Sequence, residues 1–193
     1  MHSAFQFNQY LLKRKVLALT GKFNFYGPNG ESVLYSEQRM FKLKEDVRVY
    51  SGPDKSQELL MIKARQVIDF SAAYDVFDPL ERVRVGTLQR RGLRSIARDE
   101  WLILDAQQQP LGIIIEDDLT YAMLRRFLLG TLLPQNYDVI INGRTVADLR
   151  QLFNLVRYEM LIDFTNNHSQ QLDPRLGIAA ALLLGIIEGK QSN

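Results

Sequence analysis

The chain holds two histidines, His2 at its start and His168 in the polar run TNNHSQQ, and no cysteine. His168 lies between Asp163 and Asp173, so a relay of carboxylate, imidazole and a serine hydroxyl can be drawn on paper. No strand-turn-helix elbow of the GxSxG kind presents such a serine. A solvated loop histidine is the simpler reading. With two imidazoles and no thiolate, a zinc site lacks its ligands, and no metal is expected.

Carboxylates suggest two further chemistries. The window 105–116 is acidic at both ends, at Asp105 and Glu116, as a calcium loop would be. Inside it Pro110 stands where a sharp turn needs glycine, Gln107 and Gln109 stand where carboxylates are needed, and Ile113 to Ile115 read as a strand. Asp105 is better explained as the turn residue ending WLILD. Glu116, Asp117 and Asp118 could be imagined as an acid and base pair, but a position just before a helix makes capping and dipole compensation the better account. The glycines of GPNGES lack the lysine and the strand-to-helix setting of a phosphate loop, so they mark a hairpin tip.

Arginine supplies the one local signal that survives. Positions 82 to 98 hold Arg82, Arg84, Arg90, Arg91, Arg94 and Arg98 with no acid among them. Alternation puts Arg82 with Arg84 on one strand face and Arg94 with Arg98 on one face of the next. The guanidinium fork suits phosphate oxygens, which makes Arg90, Arg91, Arg94 and Arg98 the candidate anionic-ligand residues. The competing reading is a solvated exterior paired with Glu81, Asp99 and Glu100.

These residues need a scaffold, and the pattern up to about residue 116 is short apolar alternation broken by turn residues. Five hairpins follow, at FNFYGPNGESV, VYSGPDKSQEL, YDVFDPLERVRVGTL, WLILDAQQQPLGIII and YDVIINGRTVADL, each with turn chemistry at its tip. Trp101 heads an alternation with Ile103 that predicts a core-facing ring. EDDLTYAMLRRFLLG predicts one short surface helix over 119 to 129, capped by Asp118 and stopped by Gly130. A second helix begins at Asp173 and Pro174 and ends near Glu188 and Gly189.

That last helix carries LGIAAALLLGII, 12 apolar residues bounded by Arg175 and Glu188. About 20 are needed to cross a bilayer, so the run is too short. It is also apolar all round, which excludes an amphipathic surface position and leaves the middle of a protein. Gly177, Ala181 and Gly185 form a small-residue stripe that lets surrounding strands come close. A many-stranded antiparallel sheet wrapped around this helix also removes exposed strand edges.

The segments IDFSAAYDVFD, VGTLQRRGLRSIARDEWLILD, LTYAMLRRFLL and LDPRLGIAAALLLGII resemble the LURP-one-related proteins, in particular their bacterial members. That family is grouped with the tubby carboxyl-terminal domains and the phospholipid scramblases. The resemblance spans roughly residues 33 to 188. A length of 193 residues with no linker-like run predicts a single domain over 1–193, and the resemblance implies a mainly β, twelve-stranded antiparallel tubby-like barrel enclosing a C-terminal hydrophobic α-helix. Tubby domains bind phosphoinositides and scramblases act on phospholipids, but the resemblance assigns no site residue.

Composition narrows the function. A net charge of +2 is too small for a dedicated nucleic-acid binder. Lys13, Arg14 and Lys15 follow the first apolar residues, the wrong order for a secretory signal, so a cytoplasmic location is expected. The expectation is a non-enzymatic binding domain without cofactor, for an anionic phospholipid headgroup or a protein partner. The alternatives are a scramblase-like membrane-acting protein and a hydrolase whose groups come from distant strands.

Overall fold

A computed structural model describes residues 1–15, 20–39, 46–65, 72–91, 100–117, 134–154 and 157–191. The five expected hairpins form β2 (Thr20–Tyr26) with β3 (Ser32–Arg39), β4 (Val47–Tyr50) with β5 (Glu58–Ala64), β6 (Ala73–Asp78) with β7 (Val83–Arg90), β8 (Glu100–Leu104) with β9 (Pro110–Glu116), and β10 (Asn136–Ile141) with β11 (Arg144–Leu152). Their tips behave as the turn residues require. Gly30 and Gly143 adopt φ of +80° and +74°, which L side chains disfavour. Asp105 Oδ1 accepts from the amides of Gln107 and Gln109.

Two more strands, β1 (Gln9–Lys15) and β12 (Arg157–Asp163), complete the sheet. They pair antiparallel from Gln9 with Asp163 to Lys15 with Arg157, and this pairing closes a twelve-stranded barrel whose strands follow one another in chain order. Every strand edge is thereby satisfied. Because successive strands reverse direction, β1, β3, β5, β7, β9 and β11 all end at one rim, here called the upper rim.

The helix α1 (Pro174–Gln191) fills the barrel. Every residue from 176 to 187 is buried, and the helix packs against β1 and β12 on one side and β6 and β7 on the other. Leu12, Phe23, Leu34, Val49, Leu60 and Val76 are fully buried in the same core. The small stripe has the role its spacing implies. A methyl group on Gly177 would stand 2.4 Å from the Phe164 ring, and one on Gly185 would stand 3.1 Å from Tyr158 and 3.2 Å from Phe23. No described helix is long and apolar enough to cross a membrane. The surface helix expected over 119 to 129 lies outside the described residues.

At its lower end α1 is held by charge. Asp173 Oδ1 caps the first turn, accepting from the Arg175 amide at 2.9 Å. The Arg175 guanidinium then reaches Asp173 and Asp78 at 2.7 Å each and Glu81 at 2.8 Å. Asp78 Oδ1 meanwhile accepts from the amides of Leu80 and Glu81, so this carboxylate shapes the β6–β7 turn as well as anchoring the helix. The amino terminus of Met1 pairs with Glu81. Neighbouring cations hold the Glu81 carboxyl below its usual range, through hydrogen bonds from the amino terminus and then from Arg175.

Candidate functional site

The arginine run does not lie on one surface. Arg82 precedes β7 and takes φ +57° in the turn, so it does not share a strand face with Arg84 as simple alternation predicts. Arg84 points outward, 3.2 Å from Asp75 and over the Phe77 ring. Between Arg84 and Arg90 the β6–β7 ladder slips, with Phe77 opposite Arg84 but Val76 opposite Gly86. The extra residue, Val85, reverses the alternation. Arg90 therefore falls on the inward face in spite of its even spacing from Arg84. Its cross-strand partner is Trp101, and its neighbour two residues back is the fully buried Leu88.

Arg91, one residue beyond the strand, is half-exposed and bonds Glu100 at 2.5 Å. Of the four candidate anion-binding residues, Arg94 and Arg98 lie outside the described residues. The structure thus places Arg90 inside the upper rim and Arg91 upon it. Trp101 is core-facing as its alternation predicts, 2% exposed, with its ring 6.0 Å from that of Tyr74. Burial pushes the Tyr74 hydroxyl above its ordinary value, and the charge on Arg90 draws it part of the way back. Arg90, Trp101 and Tyr74 form one inward cluster.

Other inward residues at this rim are polar too. Arg14, Gln38, Glu116 and Gln135 are all nearly fully buried. Arg14 Nη1 donates to the Gly185 carbonyl at 2.9 Å, and its guanidinium lies over the rings of Phe23 and Tyr158. Tyr137 donates to Gln135 Oε1 at 2.5 Å. Sequence reading missed Arg14, although the alternation Tyr10, Leu12, Arg14 carried the signal. Inside the barrel, then, a buried apolar middle gives way at the upper rim to a layer that includes two guanidinium groups.

The outward cations are largely committed to structure. Arg65 bonds both oxygens of Asp75 at 2.7 and 2.6 Å, and Thr87 donates to the same carboxylate at 2.7 Å. Gln108 joins through Thr87, tying the β8–β9 tip to β6 and β7. Burial works against the Asp75 charge, but the Arg65 and Thr87 hydrogen bonds outweigh it and hold the carboxyl below its usual range.

Sites weighed from sequence fare variously. His168 borders an open cleft of about 540 Å³ at the lower end, with Phe5, Gln6, Phe164 and Asn167 among its walls. Among the described residues no hydrogen bond joins His168 to Asp163 or Asp173. Asp163 Oδ1 accepts from the Thr165 amide and hydroxyl, while Asp173 holds Arg175. Glu116 turns into the barrel, Asp117 is exposed, and Asp118 lies outside the described residues. Among the described residues no three His, Asp or Glu side chains are gathered for a metal ion.

An acid pair that sequence reading did not single out lies on the outer wall. Asp138 on β10 faces Asp148 on β11 directly. Burial, the hydrogen bond to Asp148 and the nearby charges of Asp117 and Asp148 push the Asp138 carboxyl up to about 6, with Arg150 opposing. A carboxyl raised on folding stabilises the fold below its unfolded value and loses that contribution as pH rises through about 6. Urea unfolding should therefore show stability falling between pH 4.5 and 7, by about 1 kcal/mol after solvent screening. Asp138→Asn should flatten that slope and be the more stable protein at pH 7; an unchanged slope would contradict the assignment.

Comparison of the chain with protein-family models, curated proteins and solved structures finds no match.

Proposed function

We propose that the barrel is a non-enzymatic binding domain for an anionic phospholipid headgroup, received at the upper rim. The observation that carries this reading is Arg90, a guanidinium turned inward at the barrel mouth, with Arg91 beside it on the rim. Arg91 is itself tied to Glu100, as Arg65 is to Asp75, so Arg90 is the member of the run that supports a cationic contact with the interior. The resemblance to LURP-one-related proteins, and through them to lipid-directed groups, points the same way. In this reading the contact is made from the membrane surface, on the cytoplasmic side; no described helix is long and apolar enough to cross a bilayer.

Liposome co-sedimentation tests this. Each arginine near an anionic surface contributes about 1 kcal/mol, so changing Arg90, Arg91, Arg94 and Arg98 to glutamine should cost roughly 3 to 4 kcal/mol, a few hundredfold in affinity. Native protein should sediment with phosphoinositide vesicles at low salt and less at physiological salt. Thermal unfolding of the variant controls for folding. Equal sedimentation of both proteins, or none by either at low salt, would overturn the lipid reading and leave a protein partner as the better account.

A further inference from the structure

We infer that the upper mouth of the barrel contains an internal oxyanion site in which Trp101 Nε1–H and the Arg90 guanidinium together receive a phosphate ester oxygen. The inference rests on the headgroup reading and moves the contact from the outer rim to the inward face.

The decisive observation is an unmade hydrogen bond. Trp101 Nε1 is shielded from solvent and has no hydrogen-bond partner among the described residues. An indole nitrogen can only donate. Leaving such a donor unmade costs about 1 to 3 kcal/mol, and native proteins rarely leave buried polar groups so. Phenylalanine, smaller and without a donor, would carry no such penalty. No described residue supplies the acceptor, and in this inference a ligand does.

The surroundings define that acceptor. Arg90 is directly opposite Trp101 on the ladder, which puts their Cβ atoms within about 5.5 Å on the same face. Arg90 has contacts of its own within the protein, so a ligand adds to them. The Tyr74 ring lies 6.0 Å from the indole, tilted by 34°. Its phenol is neutral near pH 7 with or without the upward push from burial, so it puts no competing negative charge beside the site. A shielded neutral donor next to a half-buried guanidinium selects an anionic oxygen over a neutral one. A phosphate monoester meets that description as a lipid headgroup or as a free soluble ester.

Trp101 is the only tryptophan in the chain, so its emission reads this site directly. Native protein would be titrated at constant ionic strength with sodium phosphate, with a soluble glycerophosphoinositol phosphate and with phosphoinositide vesicles; sodium chloride provides the reference. A saturable emission change that chloride does not reproduce is expected. A response to soluble ester and vesicles alike marks the headgroup as the source, whereas a response to phosphate or soluble ester without vesicle binding keeps the site and removes the lipid.

Trp101→Phe, followed by calorimetry and co-sedimentation, should bind about tenfold more weakly. Arg90→Lys should retain more affinity than Arg90→Gln. Thermal unfolding reports whether each variant is folded, and the titration of native protein needs no variant at all. If vesicles bind but Trp101 emission is unmoved and Trp101→Phe binds equally, the internal site is wrong while the headgroup reading stands. If neither vesicles nor soluble phosphates bind or alter the emission, both fall.

Discussion

A chain ending after Pro174 should show no cooperative unfolding transition. Removing the rest of α1 strips the barrel of Leu176, Ile178, Leu182, Leu183, Leu184, Ile186 and Ile187, each at most 9% exposed. At about 1.5 to 3 kcal/mol for each side chain, the gross loss is roughly 10 to 20 kcal/mol, an upper bound because unfolded chains already bury some surface. A domain's net stability is about 5 to 15 kcal/mol. Beyond one another, the inward strand faces would keep only small apolar patches such as Phe5, Phe164 and Leu172 among the described residues. Circular dichroism on heating checks this, and a sharp transition near that of the full chain would show that the helix is not the core.

The second large effect is expected at Arg175. Its guanidinium is 11% exposed and its partner Asp78 is 1% exposed, so Arg175→Met would leave a buried carboxylate without its cation. Breaking such a pair from one side costs about 3 to 5 kcal/mol. Adding Asp78→Asn should recover a large part of the loss, because the amide oxygen can still accept from Leu80 and Glu81 while the stranded charge is gone. Urea unfolding of the native protein, the single variant and the pair measures both steps. A single variant within about 1 kcal/mol of native would mean that Asp173 and Glu81 hold the helix without Asp78.

How much of this was legible depended on how local the signal was. The five hairpins announced themselves because each tip is a few residues long and rich in glycine, proline, asparagine or aspartate. The central helix was equally plain, since twelve apolar residues with no polar face have few places to go. The closing pair was not. Nothing near YLLKRK indicates that it will lie beside RYEMLID, and the resemblance rather than the pattern supplied the count of twelve. The site was half legible for a similar reason. Arg90 and Arg91 stood out as charge, but the face of Arg90 was set by a bulge at Val85, and one added residue reverses every side chain beyond it. The unmet donor on Trp101 is a property of packing, which a one-dimensional pattern does not contain.

The order of elements along the chain also governs how the molecule is made. The helix that fills the barrel follows all twelve strands, and Gln9 meets its partner Asp163 only after 154 further residues have been added. At roughly 5 to 20 residues per second, translation leaves β1 waiting about 8 to 30 s for its closing neighbour. During that time Leu12, Phe23, Phe25 and Leu34 belong to an open sheet with nothing to cover them. The nascent chain therefore cannot complete its core piece by piece as it emerges. It folds as a whole once α1 is free of the ribosome, and until then it is a natural client for chaperones that bind exposed apolar strands.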